Sequence, residues 1–391
     1  CDVVVGLHPD AATIAAITGA WLHEGGGAFH NNGSIYHWDR KMIEGLDVRD
    51  HSIRTLDQSR IGPVLTGDPG ALRDGPPVTA LFIQNTNPMR VAPDHNQVRQ
   101  GFSRDDLFTC VHEQFMTETA EMADIVLPAT MFLEHDDVYQ GGGHQYITLG
   151  PKVVEAPGQC RSNHDVIVAL AERLGATHPG FGMTPLELID HTLQASGWGD
   201  VETLREKRWI DCQPPFDRAH YIKGFNFPDG KFRFAPKWAE ILPHGYGPDG
   251  GTAAMPKLPD HWPVIEEATA AMPYRLVTAP ARSYLNSTFS ETPTSAAREK
   301  KPAVMMHPDD ALDLGVETDD KVMLGNDRGQ VPIDVAVFDG VRRGVVVVES
   351  IWPNAAFEGG KGINVLTGAD PLAPVGGAAF HDNRIWIKRT P

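Results

Sequence analysis

The chain has 391 residues, enough for two or three domains that each bury a sizeable core, and its 34 Lys and Arg against 51 Asp and Glu give a formal net charge of −17. That balance argues against a nucleic-acid or anionic-membrane surface, because either would demand a basic face, and it suits a soluble protein. The four cysteines, Cys1, Cys110, Cys160 and Cys212, show no CxxC or other ligand spacing. They suggest reduced, structural thiols in a reducing, cytoplasmic setting rather than a disulfide framework or a readable iron–sulfur or zinc site.

No run of 18 apolar residues marks a membrane span, and the opening CDVVVGLHPD lacks the basic and apolar regions of a signal peptide. Because the chain begins with Cys rather than Met, it reads as a fragment or a processed piece.

The first predicted element is a helix over Asp10 to Gly19, capped by Thr13 or Asp10. A glycine-dense loop follows, from His23 through Gly33. Short buried strands are predicted at Val78 to Ile83, Leu107 to Val111 and Ile125 to Leu127, the last within ADIVLPAT. Helices are predicted between them at Pro93 to Phe102 and Thr117 to Ala123. Strand, helix, strand spacing implies right-handed crossovers and a parallel sheet. Asp165 to Leu174 reads as an amphipathic helix that stops at Gly175.

From Gly175 to Ala271 the signals weaken. Pro185 to Leu193 reads as a helix, Lys231 to Phe234 as a strand, and Pro243 to Pro263 as part of a linker rich in Pro and Gly. After Tyr274 the texture changes to short strands, YRLVTA, KVMLGN, GQVPIDVAVF and GVVVVES, separated by Gly and Asp turns. This pattern predicts a barrel-like domain of six or seven strands with little helix beyond Pro308 to Leu314. The expected fold class is α/β, with a parallel-sheet Rossmann-like domain over 1–175, a smaller mixed segment and linker over 176–271, and a C-terminal β-barrel over 272–391.

Several loops carry chemistry. Gly25 to Gly33 could bring backbone amides close to a phosphate, or could be a plain surface loop. It is neither a GxGxxG nor a Walker pattern, so a nicotinamide-dependent dehydrogenase lacks motif support. Asn85 and Asn87 follow a strand and can offer donors and acceptors to a base or ribose, while an Asn-Pro turn would explain them equally. His112 and Glu113 end the next strand, where a carboxylate can accept from a ribose diol or a guanine edge. Thr117 and Thr119 stand where a helix would begin, which suits either a phosphate or a cap. Glu134 and His135 follow ADIVLPAT and alone read as a solvated loop. Asn163 reads as the cap of the helix it precedes, and Asp309 or Asp310 as compensation for the dipole of a short structural helix.

Together, IQNTNPM at Ile83 to Met89, VHEQFMTETAEMADIVLPAT at Val111 to Thr130 and GINVLT at Gly362 to Thr367 resemble the molybdopterin oxidoreductases of the dimethyl sulfoxide reductase superfamily, and the likeness recurs from about Thr18 to Arg389. The resemblance implies a bis(molybdopterin guanine dinucleotide) cofactor carrying molybdenum or tungsten, and a double-psi-like barrel. Glu113 stands where the family often has Asp. The resemblance places a nucleotide contact at His135, makes Asn163 or Asp165 a guanine or ribose partner, and takes the glycine-rich segment close to the pterin. In the barrel it implies that Thr278, Arg282, Asn286, Ser287 and Thr288 wrap the pterin and its pyrophosphate, with Arg282 able to pair a phosphate bidentately. Asn364 and His381 match positions that hydrogen-bond the pterin.

The likeness begins part-way through the family pattern, so an iron–sulfur cluster and the protein ligand to the metal are expected only in a missing N-terminal region, and no catalytic residue or metal ligand is assigned. By resemblance the partners are the molybdopterin cofactor, a small redox substrate and an electron-transfer subunit. Formate dehydrogenase-like, nitrate, thiosulfate and sulfoxide chemistries share these segments. The competing reading is a non-catalytic cofactor-binding or assembly module. Two geometric expectations follow: Asn87, Glu113 and Thr117 line one crevice, and Asn286, Asn364 and His381 gather on the side of the barrel that faces it.

Overall fold

The computed structural model describes residues 9–28, 33–241, 258, 266–290, 292–372 and 376–390. Cys1, His30 to Asn32 of the glycine-rich loop and most of the Pro243 to Pro263 linker lie outside the described residues. The chain divides into two compact units, one drawn mainly from Cys1–Ile53 and Leu127–Lys237, the other mainly from Arg54–Val126 and His261–Pro391.

A three-stranded sheet has the order β1-β2-β3, with β1 at Ala80–Gln84, β2 at Phe108–Glu113 and β3 at Ile125–Pro128; β1, β2 and the start of β3 belong to the second unit. β1 and β2 run parallel, with Phe82 opposite Cys110 and Ile83 opposite Val111. A parallel pair needs a crossover, and the helix His95–Phe102 supplies it. Asp94 caps that helix from the left-handed region, at φ 50°. Val98 and Phe102 of the helix pack with Leu65, Ile83, Met89 and Val111 into one core. The predicted helix at Thr117 to Ala123 is only a 3-10 turn, Ala120–Met122. Thr117 accepts from the Ala120 N–H at 3.2 Å and Asn87 engages Thr119, so side chains rather than further helical turns satisfy these groups.

The first unit carries the helix Pro9–Thr18 and an antiparallel sheet of β4 (Asp137–Gln140), β5 (Tyr146–Gly150) and β6 (Trp209–Asp211). Ile147 of β5 is buried with Tyr36, Ile189, Leu193 and Leu204. Two capping boxes fix helix starts here. Ser162 and Asp165 reciprocally close Asn163–Leu174, and Thr184 and Glu187 close Pro185–Ala195. The cap is therefore Ser162, which Asn163 directly follows. Lys231 to Phe234 is not a strand. Phe232 instead packs its ring edge-on against Phe225, in an aromatic cluster that also holds Trp21 and Tyr221.

The C-terminal part closes a six-stranded barrel in the order β10-β8-β11-β7-β12-β9. Its strands are β7 (Tyr274–Ala279), β8 (Ala303–Met306), β9 (Lys321–Gly325), β10 (Gln330–Val337), β11 (Val345–Glu349) and β12 (His381–Arg389). β11 pairs in parallel with β7, and β10 with β8, while the other pairs are antiparallel. Leu276, Val304, Val322, Val331, Val346 and Ile385 fill the interior. Besides the helix Pro308–Leu314, a second one at Pro293–Glu299 departs from the sequence expectation; Pro at its first turn is compatible with helix because that N–H would be unsatisfied anyway. Asp310 is buried and accepts from the Gly344 N–H at 2.8 Å and from Arg343, a structural role.

Candidate functional site

The loops that follow β1 and β2 meet barrel loops through a buried polar network. Asn87 Nδ2 donates to Glu118 Oε2 at 2.7 Å, and Arg90 Nε donates to both Glu118 oxygens at 3.0 and 3.2 Å. Thr119 donates its hydroxyl to Asn87 Oδ1 at 2.7 Å while accepting from the Met89 N–H at 3.0 Å. Arg90 also donates to Ser290 Oγ at 2.7 Å, in the loop after β7. From the barrel side, the Asn354 N–H reaches Glu118 at 3.3 Å and Asn354 Nδ2 donates to the Met89 carbonyl at 2.8 Å. Asn364 Nδ2 donates to the Arg90 carbonyl at 2.9 Å, and its Oδ1 accepts from the Thr367 hydroxyl at 3.1 Å.

Arg90 is buried and needs an anion, because a guanidinium out of water without one is costly. Glu118 supplies it. Burial alone would raise that carboxyl, but the hydrogen bonds from Asn87 and Arg90 and the Arg90 charge outweigh it, so Glu118 is held below the usual carboxylate range. Packed beside this network, His95 is buried, and its ring approaches the Met89 backbone without a hydrogen bond of good geometry. Desolvation, with the charges of Arg99 and Lys361 adding to it, pushes its pKa down to about 4, so the ring is neutral.

The sequence-predicted residues separate into two groups. Asn87, Thr117, Thr119 and Asn364 are buried and committed to the scaffold. Thr278 donates to the Phe380 carbonyl at 2.8 Å, Ser287 accepts through its carbonyl from Ser290 at 2.9 Å, and Asp165 completes a capping box. His112 is buried, with Nδ1 3.2 Å from Gln84 Nε2. Glu113 is half-buried and accepts from the Gln114 N–H at 2.7 Å, and His135 Nδ1 lies 2.7 Å from the Thr130 hydroxyl. By contrast Asn85, Arg282, Asn286 and Thr288 are exposed, as are Asn163 and His381. Asn85 and Asn286 adopt positive φ, 54° and 50°, which a short amide side chain tolerates better than most. Asn364 thus reaches the Asn87 loop, whereas no hydrogen bond joins Asn286 or His381 to it.

Sequence reasoning missed Arg90, Asn354 and Ser290, and gave Glu118 no role. The available signal was an arginine set directly behind NTNPM, where an apolar core needs a reason for charge.

A second feature of this unit is a cavity of about 530 Å³ lined by Arg60, Asp68, Asp94, Gln97, Arg328 and Asp370. Arg60 pairs Asp68 at 3.2 Å, and Arg328 pairs Glu266 in two bonds at 2.6 and 3.0 Å. None of the sequence-predicted site residues lines it. Among the described residues, no group of three or more His, Cys, Asp or Glu is placed to hold a metal ion.

The family model for the molybdopterin oxidoreductases matches residues 11–173, and that for the molydopterin dinucleotide binding domain matches residues 274–383. The chain belongs to the molybdopterin oxidoreductases of the dimethyl sulfoxide reductase superfamily. It is 34% identical over 387 residues to a probable oxidoreductase, YoaE, of Bacillus subtilis, covering 97% of this chain and 53% of that protein. It is also 26% identical over 317 residues to a trimethylamine-N-oxide reductase of Haemophilus influenzae, covering 73% of this chain and 37% of that one. Acetylene hydratase from Pelobacter acetylenicus has a similar fold, with a TM-score of 0.67 at 18% identity, covering 99% of this chain and 52% of that chain. The chain thus spans about half the length of the relatives it matches most fully. Among the described residues no helix is long and apolar enough to cross a membrane.

Proposed function

We propose that this chain is the cofactor-holding part of a molybdenum- or tungsten-dependent oxidoreductase and grips the nucleotide ends and part of the pterin of a bis(molybdopterin guanine dinucleotide). The observation that supports it best is the pair of family matches, one over the α/β part and one over the barrel. In this reading the three strands belong to a Rossmann-like sheet and the barrel is double-psi-like.

The residues present fit such a group. Asn85, Arg282, Asn286 and Thr288 lie exposed on loops with their side-chain donors turned to no described carboxylate, and Arg282 has the fork that matches a pyrophosphate oxygen pair. Asn87, Thr119 and Asn364 are proposed as contacts too, and with Glu118 and Arg90 they also bond to one another and to the backbone. Those bonds hold the loop that carries Asn85 and the barrel segment 362–367 in one register, which lowers the ordering entropy a ligand there would cost. Glu113, His135, Asn163, Asp165 and His381 are proposed as further nucleotide or pterin contacts. When bound, the metal on its pterins would supply the oxygen-atom, hydride or electron transfer; the chain supplies binding and orientation.

The test is elemental analysis of the purified full reading frame together with guanine nucleotide released by acid. Molybdenum or tungsten should appear with guanine nucleotide in the fixed ratio of the bis-dinucleotide cofactor. Arg282→Ala should lower both, since a lost hydrogen bond to a charged group costs about 1.5–3 kcal/mol. Neither metal nor nucleotide in the intact protein would sink the reading.

A further inference from the structure

In the loop after β7, the segment from Leu285 to Phe289 is exposed or half-buried and hangs between two buried residues, Tyr284 and Ser290. Arg90 holds Ser290 from the side of the sheet, at 2.7 Å. The barrel side holds Tyr284: it is 6% exposed, its ring meets Trp352 edge-on at 6.0 Å, and its hydroxyl accepts from Ser350 Oγ. Further bonds fix the backbone around it. The Ser283 N–H donates to Glu299 Oε1 at 2.7 Å, the Ser283 carbonyl accepts from the Ser295 hydroxyl at 3.0 Å, and the Thr288 N–H donates to the Leu285 carbonyl at 2.8 Å.

Ser350 is the unusual member of this arrangement. It stands one residue past β11, where its N–H donates to the Ala279 carbonyl at 2.7 Å and prolongs the parallel register with β7. Buried at 4% exposure, it holds φ at 80°, which glycine adopts freely and serine only under strain. Asn286 at 50° and Phe289 at 64° share the left-handed region. Glycine at 350 would make the same turn without strain. What it could not supply is the hydroxyl that reaches Tyr284, and a buried phenol that loses a partner is destabilised. Arg282, Asn286 and Thr288, all exposed, lie within four residues of Tyr284, so a shift of that side chain moves the three donors together.

We propose that Tyr284 and Ser350 are positioning residues, a hydroxyl clamp that sets the conformation in which Arg282, Asn286 and Thr288 are presented to the cofactor. The inference rests on the cofactor reading for its ligand and adds to it two buried residues that act through the loop.

Tyr284→Phe, Ser350→Ala and the double variant are made in the full reading frame. Amide hydrogen exchange over residues 282–289 is followed beside molybdenum, tungsten and guanine nucleotide content. Each single variant should exchange at least about tenfold faster there, the ratio that corresponds to ~1.4 kcal/mol of lost protection. Each should retain at most about half of the metal and nucleotide, since the loop must then be ordered at binding. The double variant should lose no more than either single one, because the two hydroxyls act as a pair. Ser350→Gly separates hydroxyl from strain: its melting temperature should fall less than that of Ser350→Ala while its nucleotide content falls as far. Unchanged exchange in both single variants would overturn the clamp whatever the cofactor content. A loosened loop with full metal and nucleotide would overturn the positioning role and leave Tyr284 and Ser350 purely structural. Metal and nucleotide missing from the unaltered protein would instead sink the cofactor reading, and the positioning role with it.

Discussion

The barrel and the three-stranded sheet, which share one compact unit but for the end of β3, solve the same problem in opposite ways. Six barrel strands close on themselves, so no edge is left with unpaired backbone groups and every inward side chain meets another from across the ring. The sheet is open. β1 and β3 are its edges, one face is packed under a helix and the other shows Phe82 and Phe108. The barrel interior is therefore closed by its own strands, whereas the open sheet leaves large apolar side chains in solvent. The polar network of Arg90, Glu118, Asn354 and Asn364 joins the two, which ties the orientation of the weaker element to the stronger one.

The largest effect should come from the closed element. Leu276 is fully buried on β7, and the ring around it cannot collapse into a void without breaking register. Leu276→Ala should cost about 3–5 kcal/mol, read from urea unfolding of the 391-residue chain. A loss below ~1 kcal/mol would show that the barrel core relaxes and that closure does not confer the stability claimed for it.

Next in size is the bridge between the elements. Glu118→Gln removes the charge that balances Arg90 while keeping the shape. Breaking a buried pair is strongly destabilising, and because Glu118 keeps some exposure the lower end applies, about 3 kcal/mol. The double variant Arg90→Met with Glu118→Gln should recover part of that loss. Without recovery, the pair is not what joins barrel and sheet.

Much of this contrast was legible in the sequence. The apolar runs of β1, β2, β7 and β9 to β11 were read close to their observed bounds, because alternation and flanking Gly and Asp are local signals. β12 was not read: in HDNRIWIKR the apolar residues are only the triplet Ile385-Trp386-Ile387 among polar and charged ones, and its partners β7 and β9 are far away in sequence. The Pro293–Glu299 helix was hidden for a related reason, since PTSAARE has no apolar stripe. At the candidate site, the sequence singled out loops that the structure shows hydrogen-bonded to one another, but not the partners each side chain takes. Whether an asparagine binds a ligand or a backbone carbonyl depends on what lies opposite, and Asn87 and Asn364 face groups 31 and 274 residues away.

A smaller effect should appear on acidification. His95 is neutral with a folded pKa of about 4, below the ordinary value of 6.5, so the unfolded chain binds a proton that the folded chain refuses. Its contribution is fully present above about pH 6.5 and is lost as pH falls from there towards 4. Below the usual carboxylate range, Glu118 adds a second loss: its lowered pKa means that stability present above the unfolded value disappears as pH falls through the folded one. Urea midpoints between pH 7 and pH 4.5 should therefore decline, and His95→Gln should flatten the slope in that interval. An unchanged slope would show that the ring finds a partner when it is charged.

The smallest effect tests the open face directly. Phe82 occupies the middle of β1 as Leu276 occupies β7, and by residue type alone it should matter as much. Its ring, however, stands 40% exposed, so truncating it in the 391-residue chain removes few contacts. Threonine keeps β propensity at the site. Phe82→Thr should change stability by no more than about 0.5 kcal/mol in either direction, the range of ordinary surface substitutions. A loss comparable to that of Leu276→Ala would mean that the ring is packed in solution, and the contrast between a closed barrel and an open sheet would fail at the residue that defines it.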